Sequence, residues 1–165
     1  MEKNKNAIKD FLDDVKDGIK QKNTEVLRIV ADGQVPMYGT EGAAGFDLYC
    51  NNSEPIVAKP GEMVKVPTGL KMEIPEGYFG AVYPRSSAGI KLRISLANTT
   101  GIIDSDYRGE IKIFVVNEGD EDLIISKGDR LVQMVIQPYL QVNIQVVDQL
   151  DDTQRGSDGI GSTGR

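Results

Sequence analysis

Short β-branched runs, separated at close intervals by glycine and proline turns, occupy most of the chain and constrain it to β structure. Turn sequences such as Lys59-Pro60-Gly61, Pro75-Glu76-Gly77 and Lys127-Gly128-Asp129 separate neighbouring runs. Many short strands at regular spacing with hairpin turns are typical of an antiparallel sandwich or barrel, so the predicted fold class is all-β. The predicted strands are 26–30, 46–49, 63–66, 70–74, 79–82, 94–97, 111–116, 123–125, 131–136 and 142–147.

A different pattern opens the chain, where apolar residues follow helical spacing among lysines and aspartates. The apolar stripe consists of Ile8, Phe11, Leu12, Val15 and Ile19. We expect an N-terminal helical extension over 1–24 that serves as a packing arm or interface helix. The β domain then covers 25–148, and a flexible glycine-rich segment covers 149–165.

The segment from Arg155 to Arg165 is rich in glycine and hydroxyl side chains, which suit a phosphate. Its glycines satisfy the G-x-G-x-x-G pattern of dinucleotide binding, but that motif opens a helix, and no helix can follow here. The segment also lacks the lysine of a P-loop. Glycine N–H groups, supported by Arg155, Ser162 and Thr163, can still form an anion nest. The alternative is a frayed terminus.

Composition excludes several classes of function for this chain of 165 residues. Because it has no histidine and only Cys50 as a cysteine, histidine triads, internal disulfides and zinc clusters are excluded, and a general base must be Asp, Glu, Lys or Tyr. The net charge of −6 argues against nonspecific nucleic-acid binding, and no apolar run reaches the ~20 residues of a membrane span. We expect a cytoplasmic protein that binds neither nucleic acid nor membrane. A small polyphosphate could bind where basic residues and a metal ion converge.

The segment 101–109 is the densest in residues that can carry chemistry. Asp104 lies three residues before Tyr107 in a turn-like stretch between two predicted strands. The carboxylate could orient and deprotonate a water, and the tyrosine ring could pack against a flat ligand. An ordinary hairpin turn explains the same residues equally well.

A second candidate segment, 84–87, combines an arginine with two hydroxyls at a predicted strand-to-turn junction. Arg85, Ser86 and Ser87 are suited to phosphate oxygens. Equally, Ser86 or Ser87 could be the N-cap of a helix. Taken alone, neither segment decides between a functional and a structural role.

Taken together with three further segments, these residues resemble the five ordered motifs of the trimeric dUTPases. The five motifs lie at 44–48, 84–88, 101–109, 128–134 and 155–164. The resemblance implies a jelly-roll-like distorted β-barrel and a homotrimer whose active sites are shared between subunits. It also implies Mg²⁺-dependent hydrolysis of dUTP to dUMP and pyrophosphate, which limits uracil incorporation into DNA and supplies dUMP for thymidylate synthesis.

The resemblance implies roles for residues around the base, the sugar and the attacking water. Asp104 would be the general base that orients water toward the α-phosphorus. Tyr107 would lie under the deoxyribose and leave no room for a 2′-hydroxyl. The residues implied at the uracil edge, largely through their backbone groups, are Asn98, Gly101, Ile102, Ile103 and Lys112.

Other residues would hold the triphosphate and the metal ion. Arg85, Ser86, Ser87 and Gln133 would bind phosphates. Asp47 would lie near the water shell of Mg²⁺, which the substrate phosphates mainly hold. Arg155 would join a glycine-rich lid that closes over the β- and γ-phosphates of a site on a neighbouring subunit. The substrate-binding lid residues are Ile160, Gly161, Ser162 and Thr163.

Two lid residues depart from the family pattern. Ile160 stands where the family usually has an aromatic side chain that stacks on the uracil, and Asp158 replaces a common glycine and adds negative charge near the phosphates. An isoleucine can cover the base but cannot stack on it, so lid closure should be weaker by roughly 0.5 to 1.5 kcal/mol.

Two other functions are compatible with this pattern. The related dCTP deaminases carry a catalytic glutamate ten positions after the residue that corresponds to Asp104. This chain has Phe114 there, which cannot shuttle the proton for deamination. Alternatively, the chain could be a trimeric regulatory module that binds a protein partner through the N-terminal helix or the trimer surface. Catalysis is favoured because the chain has the full set of Asp104, Tyr107, Arg85, Gln133 and Arg155.

Overall fold

The computed structural model describes residues 25–157, which form an almost entirely β structure and confirm the predicted fold class. The predicted helix in 1–24 and the lid residues from 158 onward lie outside the described residues. No helix within 25–157 has the length and apolar character needed to cross a membrane. The elements are β1 (Arg28–Ala31), β2 (Met37–Tyr38), β3 (Phe46–Leu48), β4 (Ile56–Ala58), β5 (Met63–Pro67), β6 (Leu70–Glu73), β7 (Tyr78–Pro84), α1 (Ser86–Lys91), β8 (Ile94–Leu96), β9 (Gly101–Ile103), β10 (Lys112–Asn117), β11 (Leu123–Ile125) and β12 (Val132–Pro138).

The paired strands run antiparallel, as the hairpin turns predict. The largest sheet has the order β2-β3-β12-β7-β9, so β9 is an edge strand. A second sheet has the order β5-β10-β8, and β1 with β6 and β4 with β11 form two-stranded sheets. Because β8 pairs only with Val115 to Asn117 of β10, the start of β10 is uncovered on that side.

A single buried apolar cluster joins the sheets. Leu48 and Met134 of the five-stranded sheet belong to the same cluster as Val115 of β10. Side chains alternate between the two faces of a strand, and Lys112 and Phe114 accordingly lie on the exposed face of β10. The core therefore fixes β10 while its outer face remains available for a ligand.

Strands β2, β4 and β9 were not predicted from the sequence. Each has only two or three residues, and the sequence pattern did not separate them from the neighbouring turns. Strand β9 also corrects the interpretation of Gly101–Ile103 as turn-like, because these residues pair with β7. The turn begins only at Asp104.

The predicted strand at 142–147 is wrong for the described chain. Residues 139–157, called the arm below, contain no helix or strand. The arm has an alternating set of largely exposed apolar residues, namely Leu140, Val142, Ile144 and Val146. Such a pattern forms a strand only where another strand offers a free edge and an apolar surface, and no strand within 25–157 pairs with it.

Candidate active site

The Asp104 carboxylate stands at the end of β9, where the edge strand turns away from its sheet. The turn is closed locally, because the Tyr107 N–H donates to the Asp104 carbonyl at 3.2 Å and Arg108 Nη1 donates to the Ser105 carbonyl at 2.6 Å. Asp104 is exposed, and its carboxylate makes no hydrogen bond or ion pair with any residue in 25–157. An unpaired carboxylate of this kind can orient a water molecule and accept its proton.

Two adjoining cavities lie between β9 and the start of β10. Asp104 and Tyr107 line the larger one, of about 240 Å³, and Asn98 and Gly101 line the smaller one, of about 80 Å³. Within the described chain, every residue predicted to contact the base, the sugar or the attacking water lines at least one of them. These residues are Asn98, Gly101, Ile102, Ile103, Asp104, Tyr107 and Lys112.

The backbone of Lys112 faces these cavities. Its cross-strand partner on β5 is Pro67, whose carbonyl accepts instead from the Asn51 N–H at 2.8 Å, so Lys112 and Pro67 form a non-hydrogen-bonded pair. On the other side of β10, the Phe114 carbonyl accepts a hydrogen bond from the Ala97 N–H at 3.0 Å. Backbone groups alternate along a strand, so the N–H and C=O of Lys112 point the same way as those of Phe114, where β8 has ended. One donor and one acceptor of fixed polarity therefore face the cavity.

Tyr107 is held by two contacts. Its hydroxyl donates to the Glu110 carbonyl at 3.0 Å, and its ring lies against Gly109. A Cβ atom on Gly109 would collide with the hydroxyl and the ring, so glycine alone leaves room for this arrangement. The Tyr107 side chain is 43% exposed and can offer a ring face to a ligand in the larger cavity.

A second group of predicted residues gathers around the buried Asp47 on β3. Arg85 Nε lies 2.9 Å from its Oδ1, and Arg130 Nη1 lies 3.1 Å from its Oδ2. Arg85 also donates from Nη1 to the Arg130 carbonyl at 3.1 Å and from its backbone N–H to the Leu131 carbonyl at 2.9 Å. Gln133 lies opposite Asp47 in the pairing of β12 with β3. Two cations around one carboxylate leave net positive charge for an anion.

Ser86 and Ser87 begin helix α1 directly after Arg85. The N-cap position belongs to Arg85, which has extended backbone angles (φ −68°, ψ 146°) and makes no side-chain capping bond. The alternative that Ser86 or Ser87 caps a helix is therefore wrong. Both serines are exposed, and their hydroxyls make no hydrogen bond to another residue of the described chain.

The two groups are linked through one sheet, but neither of the two cavities is lined by residues of both groups. Strand β7 links them, because Val82 pairs with Gly101 of β9 and Tyr83 pairs with Gln133 of β12. The residues around Asp47 line neither of the two cavities. A nucleotide that contacted both groups would therefore have to extend beyond these two cavities.

The predicted lid is described only as far as Ser157, and Arg155 is its one predicted substrate-binding residue within that part. Arg155 is exposed in the arm and lines neither cavity. Ile160, Gly161, Ser162 and Thr163 lie outside the described residues. The position of the lid over the site therefore stays a prediction.

Residues that were not predicted also belong to these groups. Arg130 holds one side of Asp47, and Glu110 and Phe114 line the larger cavity. Arg130 lies in the same motif as Gln133, so the motif already contained it. Phe114 lies two residues after Lys112 on a strand and shares its face, so the period-two pattern could have identified it.

Cys50 takes no part in either group. Burial, with a smaller contribution from the nearby charge of Asp129, raises the pKa of the Cys50 thiol to about 12. A thiol that stays protonated at neutral pH is a poor nucleophile. The chemistry of the site therefore rests on carboxylates, arginines, hydroxyls and backbone groups.

The side chains around Asp47 fit a metal ion only if a ligand supplies most of its oxygens. Within 25–157, no group of three or more Asp, Glu, Cys or His side chains could hold a metal ion. Both oxygens of Asp47 contact arginines, so the carboxylate suits a place in the outer water shell. Because Mg²⁺ keeps several waters and often binds through substrate phosphates, this donor set fits an ion that arrives with a polyphosphate.

Comparison with known proteins agrees with the five motifs. A family model described as dUTPase matches residues 31–164, a span that includes all five. A deoxyuridine 5′-triphosphate nucleotidohydrolase of Hydrogenobaculum sp. is 44% identical over 139 residues, which are 84% of this chain and 96% of the relative. The protein of the same name from Desulfitobacterium hafniense is 46% identical over 132 residues, which are 79% of this chain and 87% of the relative.

Solved structures show the same relationship. The dUTPase of Staphylococcus bacteriophage 80alpha with dUPNHPP aligns with a TM-score of 0.74 and 25% identity over 86% of this chain and all of that chain. A mutant of the phage 80alpha dUTPase gives a TM-score of 0.76 and 26% identity over 84% of this chain and 99% of that chain. The sequence motifs, the all-β fold and these relatives together establish that the chain belongs to the dUTPase family.

Proposed function

We propose that this protein hydrolyses dUTP to dUMP and pyrophosphate, with Asp104 as the general base. The observation that carries this proposal is that the unpaired Asp104 carboxylate, the Tyr107 ring and Lys112 share the walls of one cavity. A base, a sugar and an attacking water would thus have neighbouring places on a single surface. The names of the bacterial relatives support the same substrate.

In the proposed reaction, Asp104 orients a water molecule toward the α-phosphorus and takes its proton. A bond forms between the water oxygen and the α-phosphorus, and the bond from the α-phosphorus to the bridging oxygen breaks, so pyrophosphate leaves. Phosphoryl transfer depends mainly on positioning and charge stabilisation. One base and several donors are therefore sufficient, and the absence of histidine from the sequence is no obstacle.

Uracil would be recognised between Asn98 and the backbone of Lys112. The turn that carries Asn98 is held by the Thr99 N–H, which donates to the Leu96 carbonyl at 2.9 Å. Thr99 has a left-handed φ of 62°, which is rare for a β-branched residue and fixes the direction of the turn. Cytosine presents the opposite donor and acceptor pattern, and a mispaired buried polar group costs about 1 to 3 kcal/mol, so this edge would favour uracil.

Tyr107 would carry the deoxyribose and reject ribose. Its hydroxyl is tied to the Glu110 carbonyl, so the ring cannot rotate away without losing that bond. A sugar packed against the ring face would leave no space for a 2′-hydroxyl, the group that distinguishes RNA precursors from DNA precursors.

Gly109→Ala is expected to lower kcat/KM for dUTP about 10- to 100-fold, because the new methyl group displaces the Tyr107 ring from the sugar position. Steady-state kinetics with dUTP and UTP, together with thermal unfolding, measure the effect. We expect reduced discrimination against UTP in a protein that still folds. Wild-type kcat/KM and discrimination in the folded variant would show that Tyr107 does not contact the sugar.

The triphosphate would bind to the group around Asp47. Arg85 would donate to phosphate oxygens in the orientation that Asp47 imposes, and Ser86, Ser87 and Gln133 would add neutral donors. Mg²⁺ bound to the phosphates would neutralise negative charge that develops as pyrophosphate leaves, with Asp47 in its outer water shell.

A homotrimer with shared active sites would reconcile the two groups of residues. In one chain, the base and sugar residues share neither cavity with the residues around Asp47, so a second copy could supply the other half of a complete site. The arm carries exposed, alternating apolar residues that suit the surface or strand edge of a neighbouring copy, where they would be buried. Light scattering distinguishes a trimer of this 18.0 kDa chain from a monomer.

Removing the residues after Asp152 is expected to lower kcat for dUTP about 100-fold or more, because the lid donors to the β- and γ-phosphates are lost. The thermal midpoint should change little, since the buried core ends with β12. Pyrophosphate release and thermal unfolding, measured on the shortened and full chains, test both parts. An unchanged kcat would show that the segment does not act as a lid.

The proposed function is tested by incubating the protein and Mg²⁺ with dUTP, dCTP, dTTP or UTP. We expect pyrophosphate from dUTP and much less from the other three nucleotides. No pyrophosphate from dUTP would refute the proposal, and ammonia from dCTP would instead identify a deaminase.

A further inference from the structure

An aromatic side chain that has no assigned role lines both cavities. Phe114 follows Lys112 by two residues on β10 and lies on the same exposed face of the strand. Its side chain is 43% exposed, although a large aromatic residue gains most from burial. Both the cavity of about 240 Å³ and the cavity of about 80 Å³ include it in their walls.

The other strand that borders the cavities contributes a second exposed apolar residue. Ile102 of β9 is 57% exposed and also lines both cavities. The buried Leu96 and Ile113 contribute further apolar surface to the smaller cavity, beside the polar Asn98. The space thus combines apolar walls with a few polar groups at one edge, which suits a flat heterocycle.

We propose that Phe114 is a substrate-binding residue whose ring packs against the pyrimidine of the nucleotide. This inference rests on the proposed function and adds an aromatic contact that belongs to the β-barrel and not to the lid. The backbone of Lys112 would then read the edge of the base, while Phe114, two residues along the same strand, covers one of its faces. Ile160 in the lid cannot stack on the base, so Phe114 supplies the aromatic contact that the lid lacks.

The packing predicts a particular dependence of binding on the side chain at position 114. A tyrosine keeps the ring, whereas a leucine keeps apolar volume but loses the flat π-surface. Stacking of an aromatic side chain on a base contributes enough that its removal should weaken binding about tenfold. Because Asp104 is untouched, the change should appear mainly in the affinity for the nucleotide and in KM, with little change in kcat.

The experiment compares the full-length wild type with Phe114→Leu and Phe114→Tyr. Calorimetry measures the Kd of dUMP, which has no β- and γ-phosphates, and steady-state kinetics gives kcat and KM for dUTP. We expect Phe114→Leu to weaken dUMP binding about tenfold and to leave kcat within about threefold, and Phe114→Tyr to bind within about twofold of the wild type. Ile124→Leu on β11, which is also exposed but lines neither cavity, is the matched control and should change neither constant.

Light scattering on each variant separates this role from an interface role. Affinities are compared at concentrations where every variant has the wild-type mass. Equal dUMP affinity in Phe114→Leu and the wild type would overturn the proposal. A Phe114→Leu protein that no longer assembles but binds dUMP with the wild-type Kd would also overturn it. If the wild type released no pyrophosphate from dUTP, yet bound dUMP in a way that depends on the Phe114 ring, the proposed reaction would fail and the role of Phe114 would stand.

Discussion

Asp104→Asn is expected to lower kcat for dUTP by about a thousandfold, because the amide can still hold a water molecule but cannot accept its proton. The Asp104 side chain makes no hydrogen bond or ion pair with another described residue, so its replacement breaks no such interaction. Nucleotide affinity and thermal stability should therefore remain close to wild type. Pyrophosphate release measures the rate, and calorimetry with a non-hydrolysable dUTP analogue measures the affinity.

Asp106→Asn is the matched control for this substitution. Asp106 lies two residues further along the same turn and is exposed. Both carboxylates line the open groove of about 970 Å³, but only Asp104 also lines the cavity that it shares with Tyr107. We expect its variant to keep kcat within about threefold of wild type. Near-wild-type turnover by Asp104→Asn, or equal losses in both variants, would show that Asp104 is not the base.

Arg85→Ala is expected to lower kcat/KM for dUTP about 100-fold, because the proposed charged donor to the substrate phosphates would be lost. The variant should also be less stable, since Asp47 is largely buried and would keep Arg130 as its remaining cationic partner. Kinetics at a temperature well below the unfolding midpoint separates the two effects. Arg85→Lys should recover part of the activity, because it keeps the charge but cannot contact both Asp47 and the Arg130 carbonyl as the guanidinium does.

Arg93→Ala is the matched control for Arg85→Ala, because it also removes an arginine that forms an ion pair. Arg93 pairs with Asp120 on the exposed surface, and neither residue belongs to the two site groups. Exposed ion pairs contribute little to stability, so this variant should keep both its activity and its melting temperature. If Arg85→Ala matched Arg93→Ala in kcat/KM, the group around Asp47 would not be the phosphate site.

The strand pattern anticipated the elements with enough alternating residues to bury one face, such as β10 and β12. It failed at β9, where three residues pair with β7 across a sheet edge that only the tertiary fold creates. It also failed in the arm, where the alternation of Leu140, Val142 and Ile144 is real but the pairing strand is not within 25–157. Local periodicity indicates which face of a segment could be buried. It does not indicate which strand, of this chain or of another, would pair with that segment.

The site was easier to predict from its motifs than from its geometry. Asp104, Tyr107 and Asn98 were all chosen from sequence, and they do line adjoining cavities. The second arginine on Asp47 was missed, because the pairing of Arg130 with a residue 83 positions away depends on the alignment of β3 with β12. Motif spacing predicted the chemistry, whereas the neighbours that orient the predicted residues became evident only from the strand register.

Hydrolysis of dUTP in ¹⁸O-labelled water, followed by mass spectrometry of both products, tests the central claim most directly. Attack on the α-phosphorus by a water that Asp104 orients places the label in dUMP and leaves pyrophosphate unlabelled. The label should appear in dUMP with the wild type, and Asp104→Asn should form almost no labelled product in the same time. Label in pyrophosphate, or dUMP that forms at the wild-type rate without Asp104, would contradict the account.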